Sequence, residues 1–266
     1  MDFLSHPRRT RNPGYVHGAN VSLSNTILAY SKGIIRGLRP MAYTADDLAD
    51  ALHNDGWEQD LELYLKLDEL SGQTAYDSSG NANTGTVTGT TIVDGVFGKA
   101  RDFDGATDKV DAGTITIATP LSIEFWSNPD VINTDAIMVS LKASGADSDI
   151  TIGWYTTTNE IFCGVETNTV GLSGISTYVT ASTWMHWCLL FTSLSTIELY
   201  LNGQKKTLDS VSEFYTPDTT GTIIGNREGN KPLPGPIDEP RIYSRILTAD
   251  EVYLHYLAGA LKLGLI

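Results

Sequence analysis

From residue 61 onward, apolar and polar residues alternate along short segments. Leucines stand at positions 61, 63, 65 and 67, a period of two that places all four on one face of a strand. Clusters of Gly, Asn, Asp, Ser and Thr separate the later apolar runs, as antiparallel hairpins require. These runs predict an all-β fold, a two-sheet antiparallel jelly-roll sandwich. The runs lie at residues 115–117, 121–126, 136–141, 150–155, 160–165, 184–192, 197–201 and 221–225.

The two ends of the chain follow other patterns. Residues 1–40 show neither a period of two nor one of 3.6, and Pro and Gly interrupt them repeatedly, which is typical of an extended arm. Thr44 and Asp47 resemble a capping box, so a short helix is predicted near residues 45–54, with Leu48 and Leu52 on one face. Thr248 and Glu251 predict a second short helix. We therefore divide the chain into an arm at 1–60, a jelly-roll domain at 61–258 and an apolar tail at 259–266.

The net charge of −14 is unevenly distributed. Six basic residues and one acidic residue give the first 41 positions a charge of +5, while 12 basic and 31 acidic residues give the remainder −19. A basic arm before an acidic body predicts anchoring on an acidic protein neighbour, and the acidic body disfavours nucleic acid as a partner. A solvated terminus is the alternative. The arginines expected to anchor the arm are Arg8, Arg9, Arg11, Arg36 and Arg39.

Cysteine content and hydropathy restrict the function classes further. Cys163 and Cys188 lie in apolar runs without a CxxC or Cys/His cluster, which excludes a disulfide framework and a zinc site. We interpret them as buried thiols, with a single bridge as the alternative. No stretch approaches the about 20 apolar residues of a membrane span, and no signal-peptide pattern follows Met1. Membrane insertion is therefore not expected.

Several segments, in this order, resemble the laminin-G-like domains of the concanavalin A-like superfamily. The match begins at residues 63–69 and 77–81 and continues at 98–105 and at 121–126, a strand with a tryptophan. It ends with the Trp-x-His start at 184–187, the Asn202-Gly203 hairpin, and residues 235–252. Asn-Gly also favours a type I′ turn on physical grounds. The resemblance covers about 195 residues and implies the jelly-roll fold.

Two loops carry candidate metal ligands. Calcium binds six to eight hard oxygens, which loops rich in Asp, Asn and Ser supply. The resemblance implies that the loops around residues 77–81 and 237–239 lie together and often hold a structural Ca²⁺. Asp77 and Asp238 are the predicted ligands, with Asn83 as a third. Alternatively, Asp77 closes an Asx turn and Asp238 caps a loop. The Asp102 to Asp108 segment is interpreted as a turn, because its glycine and acids do not fit an EF-hand.

Catalytic motifs are not found. The glucanase pattern Glu-x-Asp-x-x-Glu is absent from the sequence, and Asp238 and Glu239, being adjacent on a strand, are expected on opposite faces. His186 between Trp184 and Trp187 is interpreted as a packed strand histidine, not as part of a triad. Aromatic rings can stack on sugars, and Trp154, Tyr155 and Tyr178 are the candidate platforms, although a sandwich core also uses such rings.

Two functions from different classes follow. The first is a non-catalytic structural or decoration protein of a large, virion-like assembly, in which the arm contacts other subunits and the jelly roll is displayed on the surface. The second is a calcium-assisted glycan-binding module in adhesion, at a cell surface or outside the cell. A glycoside hydrolase is a remote third. The two leading functions are compatible, because a displayed jelly roll can also bind surface glycans.

Overall fold

The computed structural model describes residues 44–53, 59–116, 120–143, 150–165, 168–193, 196–208, 219–227 and 231–266. Within these ranges the chain forms two eight-stranded sheets, and every pair of neighbouring strands is antiparallel. The predicted antiparallel sandwich is confirmed. The arm arginines (Arg8, Arg9, Arg11, Arg36 and Arg39) lie outside the described residues.

The first sheet has the strand order β14-β13-β12-β7-β16-β5-β4, and β1 also pairs with β16. Its strands are β1 (Leu61–Tyr64), β4 (Thr91–Asp94), β5 (Lys99–Asp104), β7 (Leu121–Ser127), β12 (Met185–Ser193), β13 (Thr196–Leu201), β14 (Gln204–Lys206) and β16 (Pro234–Tyr243).

The second sheet has the strand order β11-β10-β9-β8-β15-β6-β3-β2. Its strands are β2 (Thr74–Ala75), β3 (Gly85–Thr88), β6 (Lys109–Gly113), β8 (Ala136–Ala143), β9 (Ile150–Tyr155), β10 (Glu160–Val165), β11 (Asn168–Ser173) and β15 (Thr219–Ile224). Strands β2, β3, β6 and β11 lie outside the apolar runs that predicted strands. Of the run predicted at 115–117, the described residues 115 and 116 are not in a strand.

The main core lies between the sheets and takes every second residue of most strands. Leu63, Leu65 and Leu67 are buried in it, whereas Leu61 packs in a separate cluster with Tyr64. The pairing of β1 with β16 shifts register between Leu61 and Leu63, and this irregularity turns Leu61 to the other face. The prediction that all four leucines share one face is therefore wrong for Leu61. Phe125 and Trp187 stack in this core with ring centroids 6.1 Å apart.

Two helices cover the outer face of the first sheet: α1 (Ala45–His53) and a longer one at Ala249–Lys262. A third helix, α2 (Ile175–Tyr178), is a single turn. It precedes the longer helix in the chain, which is therefore called α3. The capping box predicted at Thr248 and Glu251 begins α3. Gly259 lies directly on Trp126 of β7, since a Cβ at this position would come within 2.2 Å of the indole. Because helices cover its outer face and the other sheet covers its inner face, all seven residues of β7 are buried.

The helices also change the division of the chain. Lys262 of α3 pairs with Asp46 and Asp50 of α1 at 3.5 and 2.9 Å, and Ala49 packs in one apolar cluster with Leu254 and Leu257. Helix α1 thus packs on the sandwich, although the sequence assigned it to the arm. The predicted boundary at residue 258 falls inside α3, whose last turn contains the buried Ala260 and Leu261. In the described part of the chain, the helices are too short or too polar to cross a membrane.

Candidate functional site

A groove of about 420 Å³ lies on the outer face of the second sheet, where β3 and β6 run side by side. We call it the hydroxyl groove, because three threonines contribute to its wall. Its lining residues are Thr84, Thr86, Thr88, Lys109, Asp111, Ala112 and Gly113. It therefore combines hydroxyl groups with one amine and one carboxylate.

Strand alternation places these side chains on the surface. In β3, Gly85 and Val87 are buried while Thr86 and Thr88 are exposed, and in β6 the buried Val110 alternates with polar neighbours. Val110 fits closely against Gly85, where a Cβ would approach its Cγ1 to 2.7 Å. The core side of this strand pair is thus tightly packed, and the opposite side is free to carry polar groups.

Cross-strand pairing brings the polar groups together. Thr86 lies opposite Asp111, and Thr88 lies opposite Lys109. Directly opposed side chains have Cβ atoms about 4.5–5.5 Å apart. No hydrogen bond joins the hydroxyls of Thr84, Thr86 or Thr88 to another described residue. They are therefore available, within the described structure, to a bound molecule.

The Asp111 carboxylate is held in place from two sides. Lys109 Nζ lies 3.2 Å from Oδ2, and the Gly113 backbone N–H donates to Oδ1 at 3.0 Å. Both side chains are about one third exposed, at 31% for Lys109 and 38% for Asp111. Lys109 offsets only part of the carboxylate charge, and Asp111 presents an oriented hydrogen-bond acceptor beside the Thr86 hydroxyl.

The predicted aromatic platforms do not lie in this groove. Trp154 is fully buried in the main core, and its Nε1 donates to the Thr134 carbonyl at 2.8 Å. A ring without exposed surface cannot stack on a sugar, so the prediction for Trp154 is wrong. The physical reason is that position 154 falls on the inner face of β9.

The two tyrosines are more exposed than Trp154 but are already engaged. Tyr155 stacks on Phe162 with centroids 4.0 Å apart, and Lys231 Nζ lies 3.8 Å from the Tyr155 ring centroid. Tyr178 packs partly against the main core, with Lys206 Nζ 5.8 Å from its ring centroid. Neighbouring side chains thus contact both rings, whereas the threonine side chains of the hydroxyl groove are exposed to solvent.

The candidate metal ligands have different roles. Asp77 accepts from the backbone N–H groups of Tyr64, Ser79 and Asn83 at 3.0, 2.9 and 2.8 Å, and from the Ser79 hydroxyl at 2.8 Å. Asn83 Nδ2 donates to the Glu62 carbonyl at 2.8 Å. These bonds tie the loop after β2 to β1, which is the turn-closing role weighed for Asp77 as the alternative to calcium.

Asp238 is fully buried on β16, and its Oδ2 accepts from the backbone N–H groups of Val96 and Phe97 at 2.7 and 3.0 Å. Its Oδ1 has no hydrogen-bond partner among the described residues. Burial, and then the charge of Glu239, raise the pKa of this carboxyl well above its ordinary value. In the described residues no group of three or more His, Cys, Asp and Glu side chains could hold a metal. The calcium site expected at Asp77, Asn83 and Asp238 stays a prediction.

Asp238 and Glu239 reach the same side of the first sheet. The pairing of β16 with β7 shifts register between Asp238 and Arg241, and Glu239 has a positive φ of 56°. This bulge adds a residue and turns Glu239 toward Tyr64 and Arg241. The expectation that these two carboxylates point to opposite faces is wrong, because it assumed a regular strand.

Glu239 belongs to a cluster of ionisable groups beneath helices α1 and α3, which we call the buried ion cluster. At its centre, Glu124 accepts from Arg241 Nη1 at 3.2 Å and from the Tyr243 hydroxyl at 2.9 Å. His255 Nδ1 lies 2.7 Å from Glu124 Oε2, and His186 Nε2 lies 3.6 Å from it. Burial by itself would raise the pKa of Glu124, but His255, His186 and Arg241 lower it well below its ordinary value.

Arg241 links Glu124 to the second half of the cluster. It also pairs with Glu239, and the Tyr64 hydroxyl donates to Glu239 at 2.5 Å. Burial raises the pKa of Glu239 to about 7. His53 of α1 lies 3.1 Å from the Tyr64 hydroxyl and 3.3 Å from Arg241 Nη2. Burial and then the Arg241 charge lower the pKa of His53 to about 3.

The buried ion cluster is closed to solvent. Glu124, Glu239 and His186 are each about 1% exposed, and the His53 side chain is 13% exposed. The packed role expected for His186 agrees with its burial and with its ring lying 5.1 Å from that of Trp126. These acids and bases are thus closed off in the described structure, whereas the hydroxyl groove is open to solvent.

Sequence reasoning missed the hydroxyl groove because its strands carry few large apolar residues. The signal was present as threonines at positions 84, 86 and 88, which alternate with Gly85 and Val87. A period of two with polar residues on one face indicates a strand with one solvated side. The partner strand β6 begins more than 20 residues later, so the sequence did not show that Asp111 would lie opposite Thr86.

Comparison with known families supports this description of the fold. The sequence profile described as the concanavalin A-like lectin/glucanases superfamily matches residues 104–253, more than half of the chain. No curated protein sequence shows a significant match to the chain.

Solved structures with the same fold include binding domains. Domain 4 of AbnA, an extracellular arabinanase of Geobacillus stearothermophilus in complex with arabinotriose, is 22% identical, with a TM-score of 0.59; the match covers 73% of this chain and 96% of that domain. The binding domain of a paraclostridial mosquitocidal protein is 20% identical, with a TM-score of 0.57, and the match covers 75% and 52% of the two chains.

The receptor-binding domain of botulinum neurotoxin type G is 15% identical, with a TM-score of 0.57 and coverage of 74% and 51%. The match thus spans about half the length of the two toxin domains. At these identities the likeness establishes the fold and leaves the ligand to be argued from this chain's own residues.

Proposed function

Since the chain belongs to the concanavalin A-like lectin/glucanases superfamily, we propose that it binds carbohydrate without cleaving it, and that the hydroxyl groove is the binding site. The observation that carries this proposal is the Asp111 carboxylate, fixed by Lys109 and Gly113 opposite the unpaired hydroxyl of Thr86. A fixed acceptor beside hydroxyls that can donate or accept is suited to the hydroxyl groups of a sugar.

The shape of the groove supports a chain-like ligand. Residues on one face of a strand repeat every about 6.6–6.8 Å. Thr86 and Thr88 therefore offer hydroxyls about 6.6–6.8 Å apart on β3. Thr84, just before the strand, adds a third, enough for several contacts to one oligosaccharide. The structural likeness to an arabinanase domain solved with arabinotriose favours the same ligand class.

Binding is favoured over hydrolysis by the placement of the carboxylates. Most glycoside hydrolases use two carboxyl groups that flank the scissile bond. The described lining of the hydroxyl groove contains one, Asp111. Glu124, Asp238 and Glu239 are buried beneath helices or loops. Hydrolysis would need a second carboxylate at the groove.

The test is a calorimetric titration of the full chain with neutral oligosaccharides, arabinotriose first. We expect wild-type binding, and a loss of at least about tenfold in affinity for Asp111→Ala, because the sugar loses its oriented acceptor. Thr91→Ala is the matched control, since Thr91 is an exposed threonine on the other sheet and should bind as wild type. Equal affinity of the Asp111→Ala and control variants would place the site elsewhere.

The same titration repeated in EDTA tests whether sugar binding depends on calcium. The predicted calcium ligands are Asp77, Asp238 and Asn83. Asp238 Oδ1 is a buried carboxylate oxygen without a described partner, while Asp77 and Asn83 make hydrogen bonds with their own loop and with β1. Because none of these three residues lines the groove, we expect sugar affinity to be unchanged by EDTA. A loss of binding that Ca²⁺ restores would instead support calcium-assisted recognition.

A place in a larger assembly is the second proposal. The charge split favours it, because a +5 segment precedes a body of −19. In that role the arginines of residues 1–41 contact acidic protein subunits, and the jelly roll is displayed on the surface of a virion or another particle. Deletion of residues 1–41 should then abolish incorporation into the particle while sugar affinity is retained.

A further inference from the structure

We propose that Asp111 makes the hydroxyl groove selective for neutral sugar chains over chains that carry carboxylate or sulfate groups. This inference rests on the sugar-binding function proposed above and names the substrate class of the same site.

The groove offers no unpaired cation to an acidic ligand among its described lining residues. Lys109 is the basic residue of the lining, and its Nζ is bound to Asp111 Oδ2 at 3.2 Å. Recognition of carboxylate or sulfate groups in proteins usually relies on Arg or Lys donors that are free to pair with them. An acidic sugar would have to compete with Asp111 for Lys109.

The positions of Asp111 and Lys109 on β6 also favour neutral ligands over acidic ones. Asp111 lies directly opposite Thr86, and Lys109 lies opposite Thr88. Because opposed side chains are about 5 Å apart, a ligand that reaches the Thr86 hydroxyl also comes close to the Asp111 carboxylate. A uronate or sulfate at that point would meet a like charge, and the charge of −19 on residues 42–266 adds repulsion at longer range.

The hydrogen-bonding capacity of Asp111 also favours neutral ligands. An ionised carboxylate has about four acceptor sites and no donor. Lys109 and Gly113 use one site on each oxygen, so further acceptor sites remain for the ligand. A sugar hydroxyl can donate to them, whereas the oxygens of a uronate or sulfate only accept. Neutral chains can therefore satisfy Asp111, and acidic groups cannot.

The experiment compares paired ligands on the full chain at low ionic strength. The panel holds neutral oligosaccharides, arabinotriose among them, and for each ring type a uronate or sulfated counterpart. For wild type we expect affinity for the neutral member to exceed that for the acidic member by about tenfold or more, the effect of two like charges about 4 Å apart in a partly hydrated groove.

Two variants separate the effect of the Asp111 charge from the effect of a single hydrogen-bond contact. Asp111→Asn keeps the shape and an acceptor oxygen but removes the charge, and should narrow the neutral-to-acidic ratio to less than about threefold. Thr86→Val removes a hydroxyl without changing charge, and should weaken both ligands while leaving their ratio unchanged. Salt should narrow the neutral-to-acidic affinity ratio more for wild type than for Asp111→Asn, which keeps only the long-range repulsion from the acidic body.

The outcomes distinguish this inference from the function on which it rests. If no neutral chain binds, the proposed function fails and the inference fails with it. If neutral chains bind at the groove but the ratio is the same in wild type and Asp111→Asn, or if acidic chains bind more tightly to wild type, the function stands and the selective role of Asp111 is overturned.

Discussion

The outer faces of the two sheets carry polar side chains under opposite conditions. On the first sheet, Glu124, Arg241 and His186 lie beneath helices α1 and α3, and each is paired within the buried ion cluster. On the second sheet, Thr86 and Thr88 reach solvent, and their hydroxyls have no described partner. Buried charges are stable only when they are paired, while exposed hydroxyls are hydrogen-bonded by water.

The largest group of ionisable side chains in the described structure is therefore closed to ligands, and the open groove holds a smaller set of polar groups. The buried ion cluster contains three histidines, two glutamates, an arginine and two tyrosines, a set that in an open cleft would indicate catalysis. Here the helices close it off from solvent. The groove has few and ordinary groups, and those can meet a ligand.

The largest expected effect follows from breaking the buried ion cluster. Arg241→Met removes the cation that contacts both Glu124 and Glu239, and leaves two buried carboxylates without it. We expect a loss of about 3–5 kcal/mol in the free energy of unfolding, measured by urea denaturation at pH 7.

Lys205→Met is the control for that measurement. Lys205 pairs with Glu198 at 2.7 Å but is 56% exposed, so its removal should cost less than about 1 kcal/mol. If Arg241→Met were no more destabilising than Lys205→Met, the two faces would not differ in the way described.

A smaller effect is expected from acid, through His53. Burial and Arg241 lower its pKa from 6.5 to about 3, so the folded state favours the neutral ring. The stability that depends on this neutral ring is complete above pH 6.5 and is lost as the pH falls toward 3. Relative to His53→Asn, which cannot take up this proton, wild type should lose about 1.4 kcal/mol per pH unit in that window.

Subtracting the variant removes the pH dependence that the two proteins share. Glu239, with its pKa raised to about 7, acts in the opposite direction, since its protonation favours the folded state as the pH falls. It is present in both proteins. The measurement is urea denaturation of both from pH 7.5 to pH 4.5, and parallel stability curves would contradict the buried, neutral position of His53.

The smallest effect is expected in the groove. Thr86→Val and Thr88→Val replace exposed side chains on β3 by a residue with high strand propensity. Each should change the free energy of unfolding by no more than about 0.5 kcal/mol in the same urea assay. A loss as large as that of Arg241→Met would show that the groove is a structural element, and would remove the contrast between the two faces.

The sequence by itself determined the features that depend on near neighbours. Alternation placed Leu63 and Leu65 in the core, Asn202 and Gly203 adopt positive φ angles of 50° and 70° in the predicted hairpin, and Thr248 caps α3 as its spacing with Glu251 indicated. Each of these signals arises within a few residues, because strand period, turn geometry and helix caps are local properties of the backbone.

Only the tertiary structure decided which of the candidate residues meet and which are sealed. Trp154 became a core residue, a bulge turned Glu239 to the side of Asp238, and Asp111 came to lie opposite Thr86. Helices α1 and α3, from opposite ends of the described chain, closed over the ion cluster. Burial and cross-strand pairing depend on residues far apart in sequence, so the local pattern that predicts a strand does not predict what covers it or which strand lies beside it.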